Sequence, residues 1–410
     1  MSSECAAIKD NTLAWDRENR TVSTKPRTPL LFTPIDLRSM RPRNRIVISP
    51  MCQYSAEDGV PNDWHLVHLG KFATGGAGTV FIEATAVEKH GRITHGDVGL
   101  WDDGQIPAHK RIVDFLKLQG ALAAVQLAHA GRKASMQRPW FGNGALNEDD
   151  FARGDAPWEI VGASPIPMAE DWLVPHELSA AEIAGLVEKW VAATRRALRV
   201  GYDVLEIHGA HGYLIHSFLS PIGNKRADGY GGDLNGRMRL ALEVTEAVRP
   251  VWPEDRPLFF RVSAVDGIEE GWTLEDSVVL ARELKARGVD VVDCSSGGIS
   301  GSSTAARVKR QPGFQVPFAE ALRREADIKT QAVGLITHPR QAEEILQRGQ
   351  ADLIAIGREA LYNPNWPRHA AAVWGVDGEF ESWPKQYGWW LVRRARSSEF
   401  YREEPTAAAE

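Results

Sequence analysis

Two histidines and a tyrosine lie close together in the sequence and could act on a bound carbonyl compound. The spacing is His208-x-x-His211, with Tyr213 two residues further on. Imidazole N–H groups can donate hydrogen bonds to an oxygen that gains negative charge. A phenol has a reference pKa of about 10, so it is protonated at neutral pH and can deliver a proton. The pattern favours a site in which both histidines bind a substrate oxygen and Tyr213 is the proton donor.

Other interpretations of the same residues stay open. A pair of histidines at this spacing can bind a metal ion, but no matching third ligand stands out, so no metal is expected. The pair can also be structural, with its hydrogen bonds satisfied inside the protein. Tyr213 can be a core aromatic residue. The position of the histidines at the end of an apolar segment favours the substrate-binding interpretation.

Further polar residues stand where other apolar segments end. Gln126 and Arg261 each follow a run of apolar residues, as His208 does. Such side chains are rarely buried unless they are paired, so three of them at segment ends indicate a polar ligand. Cys52 alone would be an inert thiol, yet its place beside Met51 allows contact with a cofactor ring.

Glycines and one arginine at the last two segment ends indicate a phosphate site. Gly334 stands at the end of the seventh segment, and Gly357-Arg358 at the end of the eighth. Each glycine alone is equally consistent with a tight turn. Together they resemble the phosphate site that barrel enzymes build after their last two strands. The sequence contains neither G-x-x-x-x-G-K-[ST] nor a strand–GxGxxG–helix unit, which disfavours a P-loop or Rossmann site.

Eight short apolar segments position these groups. They do not alternate apolar with polar residues, so both faces should be buried, as in a parallel sheet. Amphipathic helices with clear caps separate them. This alternation predicts an α/β fold of the (β/α)8 TIM-barrel type, with an open doubly wound sheet as the alternative. The predicted strands are 45–49, 79–84, 121–127, 204–208, 258–262, 289–295, 330–335 and 352–357. The predicted helices are 64–74, 105–118, 179–201, 236–249, 273–288, 317–325 and 337–349.

Three regions depart from this alternation. Residues 132–178 form a long loop excursion after the third strand, and 365–410 are rich in tryptophan. Residues 1–28 are polar and predict an N-terminal extension. The expected organisation is therefore a barrel over 29–380 and a C-terminal tail over 381–410, the tail being expected at a subunit interface.

Composition narrows the function classes. The 410 residues carry a net charge of −6, which gives no positive field for nucleic acid. The three cysteines are too few for a four-thiolate cluster and imply no disulfide framework. Neither a signal peptide nor a membrane-spanning apolar run is evident. These features predict a cytoplasmic protein with no membrane and no nucleic-acid partner.

The longer motifs resemble the Old Yellow Enzyme family, in its branch of cysteine-containing NADPH dehydrogenases and xenobiotic reductases. The most specific segment is EIHGAHGYLIHSFLSPIGNKRADGYGGDLNGR (206–237). Also similar are NRIVISPMCQYSAEDGVPNDWHLVHLG (44–70), AVQLAHAGRK (124–133), AVGLI (332–336) and ADLIAIGRE (351–359). One departure is Asp233-Leu-Asn-Gly236, where family members usually have S-x-x-N.

The resemblance implies an FMN-binding ene-reductase and assigns roles to individual residues. NADPH, or NADH, would be the hydride donor, and an activated alkene, an α,β-unsaturated carbonyl or nitro compound, would accept hydride from flavin N5. The catalytic residues would be Tyr213, His208, His211 and Cys52. The substrate would contact Tyr54, His208, His211, Tyr213 and a neighbouring subunit's Trp389 or Trp390, in a homo-oligomer that is a dimer or tetramer. The FMN would contact Ser49, Pro50, Met51, Cys52, Ala84, Gln126, Arg261, Gly334, Gly357 and Arg358.

Three alternatives to an ene-reductase remain. The first is a relative of dienoyl-CoA reductases or amine dehydrogenases, which carry an iron–sulfur cluster and further domains; three scattered cysteines disfavour it. The second is a flavin-binding protein without turnover, which the His208/His211/Tyr213 set disfavours. The third is a metal-dependent barrel hydrolase, which a flavin in the purified protein would exclude.

Overall fold

The computed structural model describes residues 28–300 and 308–397. The predicted N-terminal extension lies outside the described residues except for its last position. The end of the C-terminal tail, 398–410, also lies outside them.

Eight parallel strands close into a barrel, which confirms the predicted fold and excludes the open sheet. Each strand pairs with its neighbours along the sequence, and the last pairs with the first through Ile46 opposite Ile354. The strands are β1 (Ile46–Ile48), β2 (Thr79–Ala86), β3 (Leu122–Ala128), β4 (Val204–Gly209), β5 (Leu258–Ser263), β6 (Val291–Ser295), β7 (Lys329–Ala332) and β8 (Leu353–Ile356).

The seventh strand is shorter than the sequence predicts. It ends at Ala332, so Gly334 and Leu335 belong to the loop that follows. Both have positive φ, +120° for Gly334 and +51° for Leu335. A strand cannot continue through two such residues. The apolar sequence around them nevertheless predicts one uninterrupted strand.

Helices follow the strands around the outside of the barrel. The N-terminal caps read from the sequence are present: Ser179 accepts from the backbone N–H of Glu182, and Thr273 from that of Asp276. The helices are α1 (Asp63–Thr74), α2 (Ile106–Leu118), α3 (Glu148–Ala152), α4 (Ala180–Val200), α5 (Leu214–Leu219), α6 (Leu234–Val248), α7 (Leu274–Ala286), α8 (Val316–Glu325), α9 (Pro339–Gln347), α10 (Arg358–Tyr362), α11 (Trp366–Val373) and α12 (Lys385–Arg396).

The departure from the family pattern at Asp233 has a local structural reason. Its carboxylate accepts a hydrogen bond of 2.9 Å from the backbone N–H of Gly236 and so caps the N-terminus of α6. Serine and aspartate are both favoured at this position. The substitution therefore preserves the helix start.

The two irregular regions contain more structure than the sequence predicts. The excursion between β3 and α4 includes α3 and a two-stranded parallel ladder, Val161–Gly162 with His176–Glu177. The tryptophan-rich C-terminal region, read from the sequence as a break in the pattern, contains α11 and α12. Neither N-cap residue, Asn365 of α11 or Pro384 of α12, makes a side-chain hydrogen bond to its helix.

The barrel interior is apolar at the amino ends of the strands and polar towards their carboxyl ends. Inward residues of successive strands form an apolar floor of Val47, Phe81, Ala124, Val204, Phe259, Val291 and Leu353. Two residues further along each strand, at the next inward position, stand Gln126, Glu206, Arg261 and Asp293. The polar groups of the sequence thus meet at one end of the barrel.

In the part of the chain that the structure describes, no helix is long and apolar enough to cross a membrane.

Candidate active site

A cavity opens at the carboxyl ends of the strands, where barrel enzymes place their chemistry. It measures about 300 Å³. A second cavity of about 170 Å³ adjoins it and shares His211, Arg261 and Arg358 in its wall. The first is lined by Ser49, Pro50, Met51, Cys52, Ala84, Gln126, His208, His211, Tyr213, Arg261, Val333, Gly357 and Arg358.

Most of the residues singled out from the sequence therefore come together. Gly334 lines the adjoining cavity rather than the main one. Tyr54 lines neither, but packs in one apolar cluster with Cys52 and Tyr213. Gln126, His208 and Arg261 line the same cavity, as the sequence predicts.

His208 and His211 face each other at the rim of β4. His208 Nδ1 accepts a hydrogen bond of 3.2 Å from the backbone N–H of Ala210, which leaves its proton on Nε2. That Nε2 lies 3.3 Å from Nδ1 of His211. Burial, and next the positive charge of Arg261, lower the pKa of both histidines well below the usual value. Both imidazoles are therefore neutral at pH 7 and can act as neutral hydrogen-bond donors.

Tyr213 lies against the same pair, with its ring centroid 5.1 Å from that of His208. Burial is the main cause that raises the pKa of its phenol well above 10, and Cys52 adds to the effect. Tyr213 is therefore protonated throughout the neutral range. A protonated phenol beside two neutral donors is the arrangement that proton delivery to a polarised substrate requires.

Lys133 is a buried site residue that the sequence interpretation did not single out. Its ammonium donates to the carbonyl oxygens of His211 at 2.9 Å and Gly298 at 3.1 Å. It also lies 5.3 Å from the ring centroid of Tyr213. Burial, followed by the charge of Arg132, lowers the pKa of Lys133 to about 7. Lys133 thus ties the His211–Tyr213 loop to the loop after β6.

A second set of bonds holds the same loop from the other side. His216 Nδ1 accepts a 2.7 Å bond from the backbone N–H of Gly212, and its Nε2 lies 2.9 Å from a carboxylate oxygen of Asp266. Ser263 Oγ accepts from the backbone N–H of His211 at 2.9 Å. The loop that carries His211 and Tyr213 is therefore held in place by the buried side chains of Ser263 and His216. Asp266 in turn holds His216.

Gly212 allows this loop to approach its neighbour closely, so we expect Gly212→Ala to be damaging. Its φ is +75°, and a Cβ there would lie 2.1 Å from the carbonyl oxygen of Gly298. The variant should lose at least about 1 kcal/mol of unfolding free energy in urea titrations, because strain adds to the clash. Gly185→Ala in α4 is the control: its Cβ meets no atom within 4 Å, and stability should stay equal or rise by up to about 1 kcal/mol. Equal stability of both variants would contradict the close packing.

Cys52 and Tyr54 lie on the loop after β1. Burial raises the pKa of the Cys52 thiol well above its usual value, and the carboxyls of Asp97 and Glu83 add to the rise. The group is therefore a neutral thiol, not a nucleophilic thiolate. Tyr54 has φ +50°, and its ring meets that of Trp140 edge-on at 6.2 Å between centroids. Trp140 belongs to the excursion, which thus forms part of the site's surroundings.

Gln126 and Arg261 enter the cavity from the barrel interior; Gln126 is hydrogen-bonded to an acid and Arg261 is ion-paired with one. Gln126 Nε2 donates to Glu206 Oε1 at 2.8 Å. Arg261 donates to Ser295 Oγ at 2.9 Å, and its Nε lies 3.2 Å from Asp293 Oδ2. Neither acid was proposed as a site residue from the sequence. The inward alternation of β4 and β6 was the signal that could have found them.

The adjoining cavity has the character of an anion site. Gly334, Gly357 and Arg358 line it as the sequence predicts, and Arg310 also lines it. A Cβ at Gly334 would come within 3.1 Å of the Phe314 ring. Sequence reasoning missed Arg310, because it lies in a loop far from either strand end.

Trp389 and Trp390 do not line these cavities within their own chain. They lie on α12, where they are 53% and 64% exposed, with ring centroids 4.4 Å apart. Arg393 stacks on the Trp389 ring at 3.3 Å from its centroid. This exposed aromatic pair is available for contact with another chain.

The donor set of the main cavity fits a planar polar ring better than a metal ion. Within residues 28–300 and 308–397 no group of three or more His, Cys, Asp or Glu side chains is placed to hold a metal. Ser49 Oγ, by contrast, is buried beside the cavity without a hydrogen-bond partner in this region of the structure. Such an atom requires a partner from a ligand or water.

A closed parallel barrel with polar groups converging at its carboxyl rim is the architecture of a barrel enzyme. Residues 30–373 match the family model of the NADH:flavin oxidoreductase / NADH oxidase family. The chain belongs to this family and is an Old Yellow Enzyme-like oxidoreductase, which confirms the resemblance read from the sequence. At this level its chemistry is FMN-dependent NAD(P)H oxidoreduction.

Individual relatives agree with this assignment. The chain is 44% identical to an NADPH dehydrogenase of Geobacillus sp. (strain WCH70) over 349 residues, covering 85% of this chain and 95% of that protein. It is 46% identical to an NADPH dehydrogenase of Listeria innocua over 359 residues, covering 87% and 98%.

Solved structures show the same barrel. Morphinone reductase superposes with a TM-score of 0.69 at 27% identity, covering 84% of this chain and 90% of that one. A 2-naphthoyl-CoA reductase superposes with a TM-score of 0.75, but at 24% identity this shows the fold alone. The present chain spans 52% of that longer protein.

Proposed function

We propose that this enzyme reduces the C=C bond of activated alkenes, such as α,β-unsaturated carbonyl or nitro compounds, with NADPH or NADH as the electron source. The observation that carries the proposal is that His208, His211 and Tyr213 line one cavity with Gln126 and Arg261. Two neutral donors and a protonated phenol suit an electron-poor alkene that must be polarised at one end and protonated at the other.

The FMN would be bound tightly and without a covalent bond in the two adjoining cavities. Arg261 and Gln126 would hold the pyrimidine edge of its ring, and Gly334, Gly357 and Arg358 would hold its phosphate. This placement is supported by Ser49 Oγ, which has no partner in the part of the chain that the structure describes, and by the wall that the two cavities share. The remaining contacts come from Pro50, Met51, Cys52 and Ala84.

When bound, FMN accepts hydride from the nicotinamide and passes it to the alkene. His208 and His211 bind the carbonyl or nitro oxygen and stabilise the negative charge that develops there. Both histidines would donate to this oxygen in place of the 3.3 Å contact that they make with each other in the structure.

Tyr213 gives its phenolic proton to the alkene carbon that does not receive hydride. Lys133 and His216 hold the backbone of the two residues that precede this tyrosine and keep its approach fixed. Tyr54 contacts the substrate from the loop after β1. The Cys52 thiol, neutral at pH 7, tunes the redox properties of the neighbouring ring.

The C-terminal helix supports a further part of the proposal, a homo-oligomer (a dimer or tetramer) in which α12 of one subunit completes the pocket of another. Trp389 and Trp390 are exposed on α12. Replacing both by alanine should dissociate the oligomer in light-scattering measurements and raise the substrate KM, while FMN content stays unchanged. An unchanged oligomer and KM would exclude this role for α12.

The experiment that tests the function uses the purified chain. We expect a yellow protein that releases FMN on denaturation and oxidises NADPH faster when cyclohexenone is added. Titration with a phenol should produce a long-wavelength charge-transfer band, because the two histidines would hold the phenol oxygen over the flavin. Bound flavin without cyclohexenone-dependent oxidation would indicate a flavin-binding protein without turnover, and absence of flavin would reject the proposal.

A further inference from the structure

A layer of ionisable groups crosses the inside of the barrel directly beneath the cavity. Gln126, Glu206, Arg261, Asp293 and Gln331 occupy neighbouring strands β3 to β7, and the register places Gln126 beside Glu206, Arg261 beside Asp293, and Asp293 beside Gln331. All five are at least 93% buried. Barrel interiors at this level are ordinarily filled by branched apolar side chains, so this layer requires an explanation.

The charges of the layer do not balance if both acids are ionised. Glu206 and Asp293 would contribute two negative charges. Within the described ranges, 28–300 and 308–397, Arg261 is the one cation that faces them from the neighbouring strands. An uncompensated charge in a dry interior is strongly unfavourable. One proton on the pair of acids makes the layer neutral.

The ion pair indicates which acid carries that proton. Neither oxygen of Asp293 has a hydrogen-bond partner in the described part of the chain, but its Oδ2 lies 3.2 Å from Arg261 Nε, so Asp293 is the acid whose negative charge Arg261 balances. Glu206 Oε1 receives a hydrogen bond from the neutral amide of Gln126, and Glu206 Oε2 has no partner among the described residues. Burial raises the pKa of both acids; at Glu206 the charge of Asp293 adds to the rise, whereas at Asp293 the charge of Arg261 is the main effect that opposes it.

We propose that Glu206 is a permanently protonated positioning residue, which holds the amide of Gln126 from below without placing a negative charge under the flavin ring. This inference rests on the proposed placement of FMN. Gln126 is then held by a neutral acid, Glu206, and Arg261 is held by an ionised acid, Asp293. A carboxylate at Glu206 would instead repel the negative charge that a flavin gains on reduction.

The proposal predicts an asymmetry between two conservative variants. Glu206→Gln replaces a neutral acid by a neutral amide of the same shape, so the fold should be retained and FMN affinity should stay within about threefold, less than the tenfold that 1.4 kcal/mol represents. Asp293→Asn removes the ionised partner of Arg261, and Glu206 then loses its proton to take that place. The double variant Glu206→Gln/Asp293→Asn leaves Arg261 without a counter-charge. We expect it to raise the flavin reduction potential, because the unbalanced positive charge favours the negative charge that the flavin gains on reduction.

The decisive measurement is infrared difference spectroscopy at pH 7 on the full chain freed of FMN. The difference spectrum of wild type minus Glu206→Gln should show the carbonyl band of a protonated carboxylic acid, shifted in D₂O. The difference spectrum of wild type minus Asp293→Asn should show the same band, because Glu206 loses its proton in that variant. Carboxylate bands in the first spectrum would overturn the proposal.

Failure of Glu206→Gln to fold, or a loss of its FMN affinity beyond tenfold, would also overturn the proposal, because either result means that an anion is needed at this position. Since this spectrum requires no bound FMN, an absence of FMN binding in wild type would count against the proposed function instead.

Discussion

Tyr213→Phe should slow alkene reduction by about 100-fold or more while leaving flavin reduction by NADPH near the wild-type rate. General acid catalysis contributes roughly 10²–10⁴ in rate, and the phenol is the group placed to supply the proton. Phenylalanine keeps the ring that packs against His208 at 5.1 Å. The loss should therefore be confined to the half-reaction in which a carbon is protonated.

Stopped-flow spectroscopy separates the two half-reactions, because the oxidised and reduced flavins absorb differently. Tyr362→Phe is the matched control, since its side chain is 88% exposed and both rates should be unaltered. An equal loss in both half-reactions would show that Tyr213 acts on flavin binding or loop structure rather than as a proton donor.

The same residue gives a prediction for pH. Burial raises the pKa of Tyr213 above 10, with Cys52 as the second cause. The donor therefore stays protonated as the pH rises through the neutral range, and the alkene half-reaction should show no loss from tyrosine ionisation up to about pH 9. A fall centred near pH 8 that disappears in Tyr213→Phe would mean that the phenol is more acidic than its buried position implies.

The barrel was predictable because its strands are buried on both faces. Segments such as 121–127 and 204–208 contain runs of apolar residues that match a parallel sheet and little else, and the capping residues Ser179 and Thr273 mark helix starts independently of any partner. The end of β7 was not predictable in this way. The apolar sequence continues through Gly334 and Leu335, and only the loop geometry, with φ positive at both, ends the strand.

The candidate site was predictable as far as it depends on strand ends. Gln126, His208 and Arg261 stand out because a polar residue interrupts an apolar run, and closure of the barrel then brings them to one cavity. Lys133 and Arg310 lie in loops, where a charged residue is ordinary and carries no signal. Their place in the site follows from tertiary contacts that sequence patterns do not encode.

Glu206 and Asp293 illustrate a different limit. Each lies inside a strand whose sequence contains an acid among apolar residues, VLEIH and VDVVDCS. The alternation along the strand indicates that these acids point inward. It does not reveal that Glu206 meets Gln126 or that Asp293 meets Arg261, because those pairs depend on the register between neighbouring strands.

Replacing His208 by alanine is the second variant for which we expect a large effect. Removal of one donor to a developing oxyanion costs about 10²–10³ in rate, and the loss should fall on the alkene half-reaction. Phenol binding should weaken with it, because the same donor holds the phenol oxygen. His90→Ala is the control: its side chain is exposed, and neither quantity should alter.

The charge state of His208 and His211 determines how the rate should depend on pH. Burial and Arg261 lower the pKa of both histidines, so protonation occurs only below the usual value of about 6.5, and these imidazoles should contribute no titration of the wild-type rate between pH 6 and 8. Lys133, whose pKa burial lowers to about 7, is the site residue that titrates in this range. If the imidazoles acted as cations, the rate would instead fall as the pH rose through that range, and His208→Ala would abolish the fall. A 100-fold loss in His208→Ala with an unchanged pH profile would mean that a neutral imidazole stabilises the oxyanion. A fall that His208→Ala abolishes would mean that the cavity is wetter than its buried walls imply.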